Sequence, residues 1–572
     1  MKIFKIISLS LVLLVGTTVG CKEDFLEILP TGSLDETQLS SEAGVEGLLI
    51  GSYSMLLGRG GGFYNSSSNW FWGSVLGGEA NKGTNAGDQA QVNEIQSYEP
   101  QTTNGSVFEK YSYTYEGIAR ANATLKVLAT APESISEATK TRIAAEARFL
   151  RGHYYFELKR LFNNTPYVDE TWDGVEPIPN DKDLWQFIEA DLEFAYNNLP
   201  ETQSEVGRAN KWAAAAYLGK VALYQQDYQG AKTYFDQVIN NGVTTSGEKY
   251  ALVDNYSDLF DPRNDNNAEI VFATQAAAGT GTTDNGNPDN VLNFPYNGGP
   301  AGCCGFFQPT FDFANSFRTE NGLPLLDGSY NDPGNELKDD MGVAADADFT
   351  PDNGPIDPRL DRSLGRRGIP YRDWGPHPGI SWIRDQSYGG PYAPIKWVWS
   401  EADFDQFVDK SGWTPGYIAL NIPIIRYADV LLMAAEAEVE LGNPDVAMGY
   451  VNMIRERAAN ADDFVTDDAG DPAANYQISL YPTSLSQDEA RQAVRMERKL
   501  ELGMEGHRFF DLKRWGVAEQ VLNAYLSQMN KKLPASPFVG AVFNSPKDMY
   551  EPIPQSEIDI LGSDVLTQNP GY

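Results

Sequence analysis

The sequence predicts a mainly α-helical fold in which pairs of antiparallel helices support a loop-rich region with short strands. Apolar residues recur at helical spacing within residues 41–260 and again within 416–572. Two of these stretches have the spacing of a tetratricopeptide repeat. Residues 261–415 are instead rich in Gly, Pro, Asn, Asp and Trp, a composition typical of loops. Loops of this length in a compact protein tend to carry function, so we expect the ligand-binding region here.

The N-terminus has the order of features found in a secretory signal. Two lysines precede an apolar run over residues 6–15, and small residues then lead to Cys21. The run is about half the roughly 20 residues that a membrane-spanning helix needs. Residues 19–21 resemble the lipobox of bacterial lipoproteins. We therefore expect residues 1–20 to be a signal peptide, Cys21 to carry lipid and residues 21–40 to form the anchored tether.

Two apolar stripes predict helices in the first half of the chain. Each stripe steps by three or four residues, the spacing of one helix face. The first stripe consists of Ile143, Ala147, Leu150, Tyr154, Leu158 and Leu161, and the second of Leu184, Ile188, Leu192, Ala195 and Leu199. Asp181 or Asp183 is placed to cap the second helix, and Pro200 to end it.

The next helices have the spacing of tetratricopeptide repeats. Leu218 and Gly219 are followed by Tyr228, Ala231, Phe235 and Val238. In such repeats small residues let two antiparallel helices approach, and an aromatic ring fills the gap between them. A weaker match has Tyr427, Leu431 and Ala434 on one helix, a turn at residues 442–444, and Ala447, Val451 and Ile454 on the next helix.

Composition excludes several kinds of protein. The formal net charge of −35 repels nucleic acid and anionic lipid headgroups. Cys303 and Cys304 are adjacent, so they form either a vicinal disulfide or two thiols and cannot link distant segments. The three histidines have no zinc-ligand spacing, and the sequence contains neither a nucleophile elbow nor a phosphate-binding loop. We therefore expect a protein that is not an enzyme and has no cofactor.

The C-terminal part carries a distinctive sequence. It reads ERKLEL over 497–502 and EGHRFFDLKRWG over 505–516, and the chain ends with PIP at 552–554 and QNPGY at 568–572. These segments resemble the signature of the SusD/RagB family, the surface glycan-binding lipoproteins of the Bacteroidetes. Further similarities are Gln308-Pro309-Thr310 before Phe317 and Asn321-Gly322, and Phe25-Leu26 with Pro30 near the tether.

The resemblance implies a fold, a partner and a location. Members of this family have about four tetratricopeptide-like helix pairs that cradle a loop-rich remainder. They cap a SusC-type TonB-dependent transporter in the outer membrane and help to load glycans into it. Lys22-Glu23-Asp24 is similar to the tag that sends such lipoproteins to the cell surface. The resemblance thus predicts an outer-membrane lipoprotein that faces the cell exterior.

The signature itself contains groups of catalytic type, including Glu505, His507 and Asp511. However, Glu501, Glu505, Arg508 and Lys513 have the helical spacing at which ion pairs form. We therefore expect this segment to be structural.

A glycan site needs aromatic platforms for the apolar C–H faces of sugars and a few polar partners for their hydroxyls. Three regions supply such residues. They are Trp70 and Trp72 with Asn81, Lys82, Asn85 and Asp88; Tyr296 with Cys303, Cys304, Phe306 and Phe307; and Trp374 with Trp382. The two tryptophans at alternating positions cannot both face one way on a helix, so at least one is expected in the core. In the second region, cysteines and phenylalanines stand where relatives often place a tryptophan platform.

The acidic balance favours a neutral polysaccharide such as a glucan as the ligand. Two alternatives remain open: a lid subunit for a transporter of peptides or another nutrient, and a surface hydrolase. An oxygen-rich stretch containing Asp261, Asp265 and Glu269 is a minor candidate for structural calcium, although it lacks EF-hand spacing.

Overall fold

The computed structural model describes residues 39–58, 62–287, 290–534 and 536–572. The predicted signal peptide, Cys21 and the surface tag at 22–24 lie outside these residues. Within the described part of the chain, no helix combines the length and apolar character needed to cross a membrane.

The described residues are mainly helical. The α-helices are α1 Glu42–Ser54, α2 Val92–Gln96, α3 Gly105–Ala129, α4 Glu137–Phe162, α5 Trp185–Asn198, α6 Lys211–Tyr224, α7 Tyr228–Asn241, α8 Phe311–Asn315, α9 Leu360–Ser363, α10 Gln386–Gly389, α11 Phe404–Phe407, α12 Tyr427–Glu440, α13 Pro444–Ala458, α14 Gln487–Glu501, α15 Arg508–Arg514, α16 Ala518–Lys532 and α17 Gln555–Leu561. A π-helix covers Trp70–Val75.

The strands are short and pair in four two-stranded antiparallel sheets. They are β1 Ala80–Gly83, β2 Ile270–Thr274, β3 Phe306–Pro309, β4 Thr319–Glu320, β5 Leu323–Pro324, β6 Leu364–Gly365, β7 Ala393–Pro394 and β8 Ile422–Arg426. β1 pairs with β3, β2 with β8, β4 with β5 and β6 with β7. The pairing of β2 with β8 joins the start of the loop-rich region to the strand that leads directly into α12.

The scaffold is a row of helices, each packed on the next: α3, α4, α5, α6, α7, α12, α13 and α14. These eight helices amount to four pairs, as the resemblance implied. The loop-rich region lies in the chain between α7 and α12. In the described part of 261–415 every α-helix has five residues or fewer.

The predicted repeat packing is confirmed at α6 and α7. A Cβ atom added to Gly219 would lie 2.5 Å from the Phe235 ring, so only glycine lets the ring fill the space between the helices. The N-cap residue of α5 is Leu184 and not one of the two predicted aspartates, although the Asp183 carboxylate, one residue earlier, accepts a hydrogen bond from the Trp185 backbone N–H at 3.3 Å.

A buried cluster of charges fastens the loop-rich region to the scaffold. Arg426 on β8 pairs with Glu269 and Glu501, both at 2.7 Å, and with Glu505 at 2.8 Å. Arg359 pairs with Glu497 at 2.7 Å. We call this set the buried charge cluster; its members are Glu269, Asp357, Arg359, Lys396, Arg426, Arg455, Arg457, Glu497, Glu501 and Glu505.

Electrostatics within the buried charge cluster favour the charged form of Glu501. Burial raises the pKa of Glu501, but Arg457, Arg426 and Arg359 outweigh burial and hold that pKa well below its usual range. A buried charge without its partner is costly, so the members of the cluster must fold together.

The prediction that charged residues of the signature pair with one another along a helix is wrong for Glu501 and Glu505. Glu501 and Glu505 pair with arginines from β8 and from other loops and helices, because α14 ends at Glu501 and Glu505 lies in the turn before α15. Asp511 pairs with Arg498 at 2.8 Å. The segment is nevertheless structural, because Glu501, Glu505 and Asp511 are buried and paired with arginines.

Candidate functional site

The pairing of β1 with β3 brings two of the three predicted regions together. Asn81 lies opposite Gln308, and Gly83 lies opposite Phe306. The Thr84 backbone N–H also donates to the carbonyl of Gly305. The loop after β1 and the loop before β3 therefore form one surface. We call it the β1–β3 site; its accessible members are Asp88, Tyr296, Cys303 and Arg384, and the buried Lys82, Thr84 and Cys304 support them from beneath.

The C-terminal signature positions the first of these loops. The Met504 backbone N–H donates to the Glu79 carboxylate at 3.0 Å, and the Gly506 N–H donates to the Ser74 hydroxyl at 3.0 Å. Burial raises the pKa of Glu79 to about 7. Glu79 immediately precedes β1, so the turn at 503–507 fixes where the loop begins.

Lys82 holds the loop after β1 from the inside. Its Nζ donates to the carbonyls of Asn85 at 2.9 Å and Asp88 at 2.6 Å, and lies 5.0 Å from the centre of the Tyr388 ring. Burial lowers the pKa of Lys82 to about 8, against the opposing effect of Asp88. Lys82 thus orders this loop, and the side chain of the half-buried Asp88 remains at its surface.

A vicinal disulfide stands in the second loop. Cys303 and Cys304 are bonded, which settles the alternative that the sequence left open. Cys304 is buried, whereas Cys303 and Tyr296 are half-buried. Tyr296 is tied to a third loop, because its backbone N–H donates to the Trp382 carbonyl at 2.8 Å. The sulfurs and the phenol ring together give an apolar, polarizable surface.

Arg384 joins both loops, although it was not identified from the sequence as a site residue. Its guanidinium donates to the Thr84 hydroxyl at 2.9 Å, pairs with Asp88 at 2.5 Å and lies 5.4 Å from the centre of the Tyr296 ring. No local motif around Arg384 marks it, since its partners come from distant segments. The site thus combines an aromatic ring with a charged hydrogen-bonding pair, the combination that sugar recognition requires.

The tryptophans predicted in the first region are core residues. Trp70 and Trp72 are both buried, and their indole N–H groups donate to the carbonyls of Phe63 and Tyr64. Phe307 lies against Trp70, with ring centres 5.1 Å apart. Phe306 and Phe307 are also fully buried. These four aromatic rings support the site from below and present no face to a ligand.

Three other predicted residues have structural contacts. Asn81 is buried, and its amide donates to the Gly389 carbonyl at 2.9 Å. Trp382 is 9% exposed and is covered by Gly298 and Gly299; a Cβ atom on Gly299 would lie 2.3 Å from the indole. Trp374 is half-buried, and its N–H donates to the Trp399 carbonyl at 3.0 Å. The structure therefore leaves Tyr296 as the aromatic group of the β1–β3 site.

The calcium candidates are engaged by protein donors. Asp261 accepts a hydrogen bond from the Arg263 N–H at 2.9 Å, and Asp265 accepts from the Asn421 N–H at 3.2 Å. Burial raises the pKa of Asp265 to about 7. Glu269 belongs to the buried charge cluster. Across the described ranges, no group of three or more His, Cys, Asp or Glu side chains is arranged to hold a metal ion.

The fold and the site define a helical-repeat protein that presents a surface built from loops. The chain belongs to the SusD family, whose sequence profile matches residues 268–572. A second profile, described as starch-binding and associating with the outer membrane, matches residues 24–223. The family resemblance and the SusD-like fold are thus confirmed.

Three further proteins are similar to this chain. SusD-like protein P2 of Formosa agariphila is 25% identical, and the match covers 100% of both chains. The starch-binding protein SusD of Bacteroides thetaiotaomicron is 26% identical over 77% of this chain and 74% of that protein. Surface glycan-binding protein A of B. thetaiotaomicron, solved in complex with laminarihexaose, has a TM-score of 0.61 and 20% identity; the match covers 92% of this chain and 99% of that structure.

Proposed function

We propose that this protein is a cell-surface lipoprotein that captures a glycan and delivers it to a SusC-type TonB-dependent transporter. The observation that carries the proposal is the β1–β3 site. There the half-buried Tyr296 ring and the Cys303–Cys304 disulfide offer an apolar face for sugar C–H groups. Arg384 and Asp88 offer a donor and an acceptor for hydroxyl groups.

A neutral glucan is the proposed ligand. The net charge of −35 disfavours a polyanionic chain. The relatives support a glucan, since one is a starch-binding protein and another was solved with laminarihexaose. Tight binding is not required, because the glycan must be released into the transporter.

The proposed location is the outer membrane, with lipid on Cys21 and the protein facing outward. The tether at 21–40 would keep the protein beside its transporter at high effective concentration. Replacing Cys21 with Ala is expected to release the protein from the cell surface and leave glycan binding in solution unchanged.

Isothermal titration tests direct binding. The protein is titrated with laminarin, starch and anionic polysaccharides, and weak to moderate binding of a neutral glucan is expected. Tyr296→Ala is expected to weaken that binding about tenfold, which corresponds to about 1.4 kcal/mol. The matched control is Tyr113→Ala, which removes a half-buried tyrosine on α3. No heat with any polysaccharide would contradict the proposal, and heat with peptides instead would favour the peptide-transport alternative.

We propose a binding protein and not a hydrolase. Glycoside hydrolysis uses two carboxyl groups that flank the scissile bond. In the β1–β3 site Asp88 is paired with Arg384, and the neighbouring Asp385 accepts hydrogen bonds from the Ser387 N–H at 3.0 Å and hydroxyl at 2.7 Å. Incubation with the bound glucan is expected to yield no new reducing ends, and their appearance would overturn this reading.

A further inference from the structure

We propose that Trp413 is a second sugar platform, which extends the β1–β3 site along a longer glycan chain. This inference rests on the proposed function. Trp413 is 63% exposed. Among the described residues its indole makes no hydrogen bond and no ring contact with another aromatic group. An indole that is 63% exposed loses apolar surface to a ligand that covers it, and tryptophan contributes strongly to binding when it becomes covered.

The loop that carries Trp413 is held in place. Val408 and Ile418 form a bridge at its base, and the Asp409 N–H donates to the Tyr417 carbonyl at 2.8 Å. The Asp409 carboxylate accepts from the Ser411 N–H at 2.9 Å. A Cβ atom on Gly412 would lie 2.4 Å from the Tyr417 ring. The indole is thus presented by an ordered loop, which lowers the entropy lost when a ligand binds.

The same chain segment supports this loop and the disulfide loop. A Cβ atom on Gly416 would lie 2.5 Å from the Val291 Cα atom. Further along this segment, the Leu292 carbonyl accepts from the Phe306 N–H at 3.2 Å, and the Phe294 carbonyl accepts from the Gly305 N–H at 3.0 Å. Tyr296 is five residues after Val291, so their Cα atoms are at most about 18 Å apart. The loops that carry Tyr296 and Trp413 are therefore anchored on one short segment, and the distance between the two anchor points is within the length of a polymeric glycan.

The surroundings of Trp413 suit a neutral, hydroxyl-rich ligand. The neighbouring loop touches its base, where the Gly279 N–H donates to the Asp409 carboxylate at 3.1 Å. That loop exposes hydroxyl and amide side chains, namely Thr280, Thr282 and Asn285. Asp409 at the base of the loop is buried. The exposed Lys410 and Asp405 pair with each other at 2.5 Å, and Asp284 is an exposed acid of the neighbouring loop. A glycan chain could pack its flat C–H faces on the indole and hydrogen-bond its hydroxyls to the hydroxyl and amide side chains.

The test compares short and long glucans. The wild type, Trp413→Ala, Trp413→Phe and Tyr296→Ala are titrated with laminarihexaose and laminarin, and with maltohexaose and amylose. Trp413→Ala is expected to weaken binding of the bound polymer about threefold to tenfold, the range of an aromatic contact, and to leave the hexamer unchanged. Trp413→Phe is expected to lie between. Trp172→Ala is the control, since Trp172 is 42% exposed on the loop before α5 and is expected to change neither affinity.

The possible results separate this inference from the proposed function. Tyr296→Ala is expected to weaken hexamer and polymer alike. If Tyr296→Ala weakens binding and Trp413→Ala does not, the second platform is overturned and glycan capture stands. Equal losses for hexamer and polymer in Trp413→Ala would also overturn the length dependence. Weaker association with the transporter at unchanged polymer affinity would assign Trp413 to a protein contact. If the wild type binds none of the four glucans, the proposed ligand class fails, and the inference fails with it.

Discussion

The buried charge cluster and the β1–β3 site both contain arginines paired with acids, yet the pairs differ in kind. In the buried charge cluster Arg426 and its three carboxylate partners are almost fully excluded from water. In the β1–β3 site Arg384 and Asp88 each keep 31% of their side-chain surface exposed. Desolvated charges must all be paired, so they fix one arrangement of the chain. A partly exposed pair contributes little stability and is available to a ligand.

The two regions are joined by one short turn. The Glu505 side chain belongs to the buried charge cluster. The backbone N–H groups of Met504 and Gly506 donate hydrogen bonds to the segment that leads into β1. A Cβ atom on Gly73 would lie 1.8 Å from the Gly506 carbonyl oxygen, so the two backbones are in direct contact. The rigid cluster therefore sets the position of the exposed loops, which supply the polar contacts.

The largest expected effect comes from removing one buried charge. Arg426→Met keeps most of the side-chain volume and leaves Glu269, Glu501 and Glu505 short of a partner. We expect the free energy of unfolding to fall by about 3–5 kcal/mol, the usual cost of breaking a buried ion pair. Chemical denaturation of the purified variant measures this change.

Arg120→Met is the matched control for this prediction. The Arg120 side chain is 36% exposed and pairs at 2.9 Å with Glu116, whose side chain is 40% exposed. Exposed pairs contribute about 1 kcal/mol or less, so a small loss of stability is expected. Equal losses in the two variants would contradict the contrast between buried and exposed charges.

The next largest effect is a loss of stability at acid pH, which arises in the helical scaffold. His153 is buried in the scaffold, where its ring bonds to the Tyr217 hydroxyl and to Ser67. Burial lowers the pKa of His153 to about 4, although Glu157 opposes it; Arg160, Lys110 and Lys220 lower it further. Below the unfolded pKa of about 6.5, the unfolded chain binds a proton that the folded protein excludes until near pH 4. Stability is therefore lost as the pH falls through this window.

Replacing His153 with Gln removes this acid-dependent loss. Between pH 7 and pH 4.5 the wild type should lose about 2.4 kcal/mol more stability than His153→Gln, at about 1.4 kcal/mol for each pKa unit. Urea denaturation at both pH values measures the difference. Tyr217→Phe removes a hydrogen bond to the ring and keeps the titrating group, so it should follow the wild type. Parallel pH profiles for wild type and His153→Gln would show that the buried scaffold does not titrate in this way.

A smaller effect is expected where the loop before β3 covers Trp382. Gly299 has a positive φ of 56°, and a Cβ atom there would overlap the indole. Gly299→Ala should therefore move the loop that carries Tyr296, lower the free energy of unfolding by about 1–3 kcal/mol and weaken glucan binding. Titration and denaturation measure both effects. Gly302→Ala is the control, because a Cβ atom there meets nothing within 4 Å; a similar loss in Gly302→Ala would show that any alanine disturbs the loop.

Sequence reasoning succeeded where the interaction is local. The contact of Gly219 with Phe235 follows from the spacing within one helix pair, and the structure confirms it. The family signature gave the overall fold. Both loops of the β1–β3 site were named as candidates, yet their pairing depends on strands far apart in the sequence.

The remaining features depend on tertiary contacts that no local pattern reveals. Arg384 has no motif, because its partners Thr84 and Asp88 come from a distant loop. Trp70 and Trp72 were candidate sugar platforms, but burying a large apolar ring in the core lowers the free energy of the folded state more than leaving it exposed to water. The predicted ion-pair partners of Glu501 and Glu505 were wrong, because helical spacing does not reveal arginines on other elements of the fold.

The smallest change in stability is expected at the exposed pair itself. Asp88→Asn removes the charge that holds Arg384 and keeps a hydrogen-bond acceptor at the same place. The free energy of unfolding should change by less than about 1 kcal/mol, because both side chains are partly in water. Glucan affinity should nevertheless fall, since Arg384 lies beside the Tyr296 ring and loses the partner that orients it. Thermal denaturation and titration, each at low and high salt, measure the two quantities. A loss of stability as large as that of Arg426→Met would place this pair among the structural charges, and the division of the molecule into a rigid cluster and an accessible site would then be wrong.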